Sequence, residues 1–116
     1  GENLVLVDCQ ENSLEMDCDA LETAITEKTK VIIPVDLGGI PCDYDRIFQV
    51  VESKKNLFHP ANEVQERIGR LAVMADAAHA FDTSWHGKMI GSVADVTNFS
   101  LVEMKNITDK ICRKVA

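Results

Sequence analysis

The sequence predicts an α/β domain in which a mostly parallel sheet is flanked by helices. Three observations point there. Two runs of strand length, residues 31–35 and 71–75, are apolar throughout. Stretches with helical spacing of apolar residues lie between such runs, which is the order expected of parallel strands joined by crossovers. Glycine and proline gather between the runs, at Gly38-Gly39 and Pro41, and so mark loops.

In chain order, residues 4–8 begin as a short apolar run ending at Asp8 and read as a buried strand. Residues 10–16 are polar and read as a loop. Asp17 or Asp19 is placed to cap a helix over 19–26, with Leu21, Ala24 and Ile25 on one face. The run Val31-Ile32-Ile33-Pro34-Val35 reads as a strand buried on both faces, as central parallel strands are. Asp43 then caps a helix over 43–54 whose inner face carries Ile47, Val50 and Val51, with Lys54 and Lys55 near its negative end. Residues 52–62 form an irregular insertion. Residues 63–70 add a helical turn or two, closed by Gly69. The strand over 71–75 ends at Asp76, and residues 77–81 begin a helix or a turn. Trp85-His86-Gly87-Lys88 reads as a hairpin tip with Gly87 in the turn. A last strand over 96–101 leads to Lys105.

Apolar residues make up 46% and charged residues 27% of the 116, so the chain is globular rather than disordered and is long enough for one core. The net charge of −7 argues against a nucleic-acid partner, because no basic surface exists to neutralise phosphates. No run approaches the ~18 apolar residues of a membrane helix. The start, Gly1-Glu2-Asn3, lacks the basic and apolar regions of a signal peptide, so the expected compartment is the cytoplasm. The four cysteines, Cys9, Cys18, Cys42 and Cys112, form no CxxC pair and stand at no metal-ligand spacing from a histidine. No metal site is expected, and the thiols are expected to be free. Cys9 and Cys42 read as small apolar residues.

Three residues carry chemical interest. Asp76 ends an apolar strand, where ligands of open α/β sheets gather; alone it reads as a helix cap or a loop carboxylate. Lys105 follows a strand, where a lysine partly withdrawn from water can form a Schiff base; alone it reads as a surface lysine. Ser100 offers a hydroxyl for a phosphate oxygen, or simply ends a strand.

Together these features resemble a family. The run 31–35 with Gly39 and Pro41, then Asp76-Ala77-Ala78-His79-Ala80, Gly87-Lys88, Gly91-Ser92, Phe99-Ser100 and Lys105-Asn106-Ile107-Thr108, is similar to the DegT/DnrJ/EryC1/StrS family. These are fold-type-I pyridoxal-phosphate (PLP) enzymes of nucleotide-sugar and polysaccharide biosynthesis. The resemblance implies that residues 1–116 are part of the large, PLP-binding domain. It implies a transfer of an amino group from glutamate or glutamine to a nucleotide-linked keto-sugar, through a Schiff base on Lys105. Asp76 would pair with the pyridine nitrogen, His79 would lie beside the ring, and Ser100 would bind the phosphate. A homodimer or larger assembly is implied. The resemblance departs at Leu101-Val102-Glu103-Met104, at Asp82 where the family commonly has glycine, and after Thr108. The family's chains are several times longer. The isolated chain is therefore expected to bind PLP weakly or not at all and not to turn over. The alternative reading is a truncated, non-catalytic structural or interaction module.

Overall fold

A computed structural model describes residues 2–100 of the chain. Lys105 and the altered segment 101–104 lie outside the described residues. Helix α1 spans Cys18–Ala24; Asp17 caps it, its carboxylate accepting from the N–H groups of Asp19 and Ala20. Strand β1 spans Val31–Ile32, and a 3-10 turn follows at Leu37–Gly39. Helix α2 spans Tyr44–Ser53 under the cap of Asp43, which accepts from the Arg46 N–H. Helix α3, Glu63–Ile68, is capped by Asn62 and closed by Gly69 at φ 69°, the left-handed conformation that favours glycine. Strand β2 is Ala72–Asp76. A hairpin of β3, Ser84–Trp85, and β4, Lys88–Met89, follows, and β5 is Val96–Asn98. The hairpin turns through His86 and Gly87, both at positive φ, the pairing a two-residue turn requires.

The sheet has the order β1-β2-β5, parallel throughout. Val31 pairs with Ala72 and Ile32 with Val73, and the bridge from Val35 to Asp76 keeps the same offset. Residues 31–35 therefore form one pairing, interrupted only around Pro34, which has no N–H to donate. The carbonyl of Pro34 still accepts from the Asp76 N–H at 2.8 Å.

One face of this sheet carries the core. Ile32, Val73 and Ala75 pack with Cys18, Leu21 and Ile25 around α1, with Tyr44, Ile47, Val50 and Val51 of α2, and with Cys42 and Leu71. The hydrophobic stripe of α2 repeats at i, i+3 and i+4 spacing (47, 50, 51), and each of those side chains is fully buried.

Three expectations need correction. Residues 4–8 form no strand among the described residues. Leu4, Val5 and Leu6 are 80%, 66% and 85% exposed, and pairing there is limited to the bridge from Cys9 to Met16. A strand exists only with a partner for its N–H and C=O groups, and no strand among the described residues is placed beside it. Second, β1 is covered on one face. Val31, Ile33 and Val35 are 40%, 49% and 46% exposed, as are Met74 of β2 and Val96 of β5 beside them. Third, the last strand stops at Asn98, so Phe99 and Ser100 lie beyond it. Cys42 is buried as expected, whereas Cys9 is exposed. No described helix is long and apolar enough to cross a membrane.

The start of β5 is pinned by a bidentate ion pair. Arg70 donates to both carboxylate oxygens of Asp95 at 2.8 Å, and Asp95 also accepts from the Val73 N–H at 2.8 Å. Burial opposes ionisation of Asp95, but these hydrogen bonds and the guanidinium charge outweigh it and hold the carboxyl below its usual range. A lowered carboxyl value stabilises the fold fully above the unfolded value, and that stability is lost as the pH falls through the folded one. Asp95→Asn is expected to destabilise the chain by about 2 kcal/mol at neutral pH in urea unfolding, because two charge-assisted bonds are weakened. The difference from the parent is expected to shrink as the pH falls below the unfolded carboxyl value and through the lower folded one.

Candidate functional site at the carboxyl ends of the strands

Three parallel strands bring three connecting segments to one edge of the sheet: the loop after β1, the turn after β2 and the chain after β5. Asp76 ends the middle strand. Its backbone is held on both sides: its N–H bonds Pro34, its carbonyl accepts from Asp36 N–H at 3.0 Å, and Ala77 N–H bonds Asn98 at 2.9 Å. Side chains alternate along β2, so Val73 and Ala75 enter the core while Met74 and Asp76 project from the open face. Oδ1 of Asp76 accepts from the Ala78 N–H at 3.1 Å, which closes a tight turn, and lies 3.5 Å from Nδ2 of Asn98.

That turn is anchored by buried Ala77 and Ala80, whose backbones are bonded to each other at 3.0 Å. Between them stands His79, half-buried. The loop after β1 leans on this turn. The Thr83 hydroxyl donates to the Gly39 carbonyl at 3.2 Å. A Cβ on Gly39 would stand 3.4 Å from the His79 carbonyl oxygen, and Gly39 has φ 81°. Glycine therefore serves there both for its conformation and for the close approach.

The chain after β5 is held by an aromatic clasp. The Phe99 ring meets Phe81 edge-on, with centroids 5.4 Å apart, and a Cβ on Gly91 would lie 3.1 Å from the same ring. Ser100, half-buried, follows directly. Asp76, His79 and Ser100 thus all stand on strand ends or the turns that follow them, at the carboxyl edge. Two shallow surface depressions, of about 440 and 350 Å³, are lined by residues of the 10–19 segment with Ile40, or with Asp43 and Arg46, and contain none of the three.

Sequence reasoning passed over one residue of this edge. Asp36 is fully buried beneath the loop after β1. Its carboxylate accepts from the Cys42 N–H at 2.9 Å and from the Tyr44 hydroxyl at 2.8 Å. Burial pushes its carboxyl up, against those two hydrogen bonds. Burial likewise pushes the Tyr44 phenol far up, and the Cys42 thiol up to about 11. The available signal was a lone carboxylate at the end of an apolar strand, eight residues before a tyrosine.

Over residues 1–109 the sequence matches the DegT/DnrJ/EryC1/StrS aminotransferase family. The chain belongs to that family. It is 37% identical to the spore coat polysaccharide biosynthesis protein SpsC of Bacillus subtilis, over 92% of this chain and 24% of that protein. It is 33% identical to GDP-perosamine synthase of Escherichia coli O157:H7, over 93% of this chain and 26% of that enzyme. Among solved structures, Spr1654 of Streptococcus pneumoniae, assigned as a sugar aminotransferase, superposes in its PMP form with a TM-score of 0.89. That match has 50% identity over 90% of this chain and 26% of Spr1654. The chain spans about a quarter of the length of the curated relatives it matches. The parallel sheet with its flanking helices is accordingly the α/β fold of this aminotransferase family.

The buried Asp36 yields a test. Asp36→Ala leaves the Cys42 N–H and the Tyr44 hydroxyl without an acceptor and is expected to cost about 3 kcal/mol in urea unfolding. Asp36→Asn keeps an acceptor and is expected to cost less. A raised folded value means that the native carboxyl loses stability as the pH rises through it. The Asn variant is therefore expected to gain on the parent between acid and neutral pH.

Proposed function

We propose that these 116 residues are part of the large, cofactor-binding domain of a cytoplasmic aminotransferase. The reaction proposed is transfer of an amino group from glutamate or glutamine to a nucleotide-linked keto-sugar. One observation carries it: the family's aspartate position, Asp76, ends the middle strand with its carboxylate on the open face and with its described hydrogen bonds gathered on Oδ1. Pyridoxal phosphate fits such a group, because its protonated ring nitrogen is a cationic donor that a strand-end carboxylate can accept. When bound, that cofactor supplies an electron sink for bond breaking at the substrate carbon. Asp76 holds the proton on the ring nitrogen. His79 flanks the ring from the turn after β2, and Ser100 hydrogen-bonds the phosphate. Lys105 holds the cofactor and moves the proton at the substrate carbon.

Support also comes from the relatives, two of which are a GDP-perosamine synthase and a polysaccharide biosynthesis protein. Self-association is part of the proposal, because Val31, Ile33, Val35, Met74 and Val96 leave an apolar sheet face open. The alternative of a non-catalytic interaction module gains no support from the fold or the relatives.

Two measurements test this reading. In the protein that carries the chain, Lys105→Ala is expected to lower the transfer of ¹⁵N from labelled glutamate to a nucleotide-linked keto-sugar by more than about a thousandfold. In the same protein, pyridoxal phosphate followed by borohydride is expected to label Lys105 above all other lysines on peptide mapping. Even labelling across surface lysines would defeat the assignment. Light scattering of the isolated chain is expected to give a mass above the 12.8 kDa of one chain.

A further inference from the structure

We propose that Asn98 is a positioning residue that orients the carboxylate of Asp76; its functional meaning rests on the cofactor reading above. The two residues are register partners in the β2–β5 ladder, so their side chains leave the sheet on the same face. The juxtaposition is fixed by the backbone. Asp76 pairs with Asn98, Ala77 N–H bonds the Asn98 carbonyl, and the Arg70–Asp95 pair pins the start of the same strand. On the other flank of Asp76, the bridge partner is Val35, which offers no polar group. Asn98 is therefore the polar neighbour that the sheet itself sets beside the carboxylate.

The geometry divides the labour of the two oxygens. The Asn98 amide, at 3.5 Å, and the Ala78 N–H, at 3.1 Å, both fall on Oδ1. Held by two donors, that oxygen fixes the rotation of the carboxylate and leaves Oδ2 to face a ligand. The contact to Asn98, at 3.5 Å, is the longer of the two. The residue type suits the task. An amide donates without bringing charge, so it orients the carboxylate and preserves its negative charge for a cationic donor. A lysine or arginine at this position would neutralise the carboxylate and compete with the ligand, and an aspartate would repel it. Asn98 touches no reacting atom in this scheme and acts through Asp76.

The test uses the chain with ¹⁵N and ¹³C labels and follows the Asn98 side-chain amide and the Asp76 carboxyl carbon through an acid titration. The amide resonances are expected to move in one step together with the carboxyl of Asp76. That step is expected to vanish in Asp76→Asn, which keeps an oxygen for the Ala78 N–H and so keeps the turn. Amide resonances that ignore the titration, or that titrate unchanged in Asp76→Asn, would overturn the proposal. A second arm adds pyridoxal phosphate to the protein that carries the chain and reads the shift of the Asp76 carboxyl carbon. The ligand concentration giving half the shift is expected to rise about threefold in Asn98→Ala, the loss of one hydrogen bond, and to return in Asn98→Gln. An unchanged concentration in Asn98→Ala also counts against it. If pyridoxal phosphate leaves the Asp76 carboxyl of the parent unmoved while the acid titration behaves as expected, the cofactor reading fails and the positioning of Asp76 by Asn98 stands.

Discussion

The structure depends on the double pairing of β2. This strand has a parallel neighbour on each edge, and both ladders run to the same residue, Asp76, paired with Val35 on one side and Asn98 on the other. A residue bonded through its backbone on both edges cannot slip register without breaking both ladders, and a slip of one would exchange the faces of the strand. Val73 and Ala75 would then leave the core and Asp76 would enter it. The hydrophobic burial that holds the fold is therefore the same constraint that keeps the carboxylate outside the core.

Local chemistry made much of this legible. Asp43 and Gly69 announced helix ends because capping uses residue types suited to unpaired helix-end groups or to left-handed backbone, and both act as expected; of the two candidates Asp17 and Asp19 for the first cap, Asp17 fills it. Gly87 announced its hairpin for a similar reason. The runs at 31–35 and 71–75 were visible because their apolar character does not depend on what they pair with. Asp76 and Ser100 stood out by their places at strand ends but gained a role only through the ordered resemblance, and His79 entered through the resemblance alone. The structure brings all three to the carboxyl edge, while Lys105 lies outside the described residues.

What escaped was non-local. Residues 4–8 have the composition of a strand, yet a strand is a relation between two segments and a composition names only one. The coverage of β1 failed for the same reason: Val31, Ile33 and Val35 look like core residues whether or not anything rests on them. Asp36 escaped because its burial depends on Tyr44 supplying a hydroxyl at the right height from the start of α2. In sequence it looked like an ordinary loop carboxylate. Gly39 and Gly91 carried a signal of the opposite kind. Gly39 looked like a loop glycine and Gly91 entered only through the resemblance, while the place of each in the fold is also set by what presses against it, the His79 carbonyl at Gly39 and the Phe99 ring at Gly91.

The open sheet face has a consequence for the carboxylate beside it. Met74 and Asp76 project on the same side of β2, as do their partners Val96 and Asn98 on β5. Any element that settles on Val31, Ile33, Met74 and Val96, from this polypeptide or another, displaces water from ground that adjoins the Asp76 carboxylate. Fewer waters there lower the local dielectric, and a charge in a drier setting pulls harder on an opposite charge than the same charge in solvent. Closing an apolar surface and sharpening an ionic attraction are in this sheet two descriptions of one event.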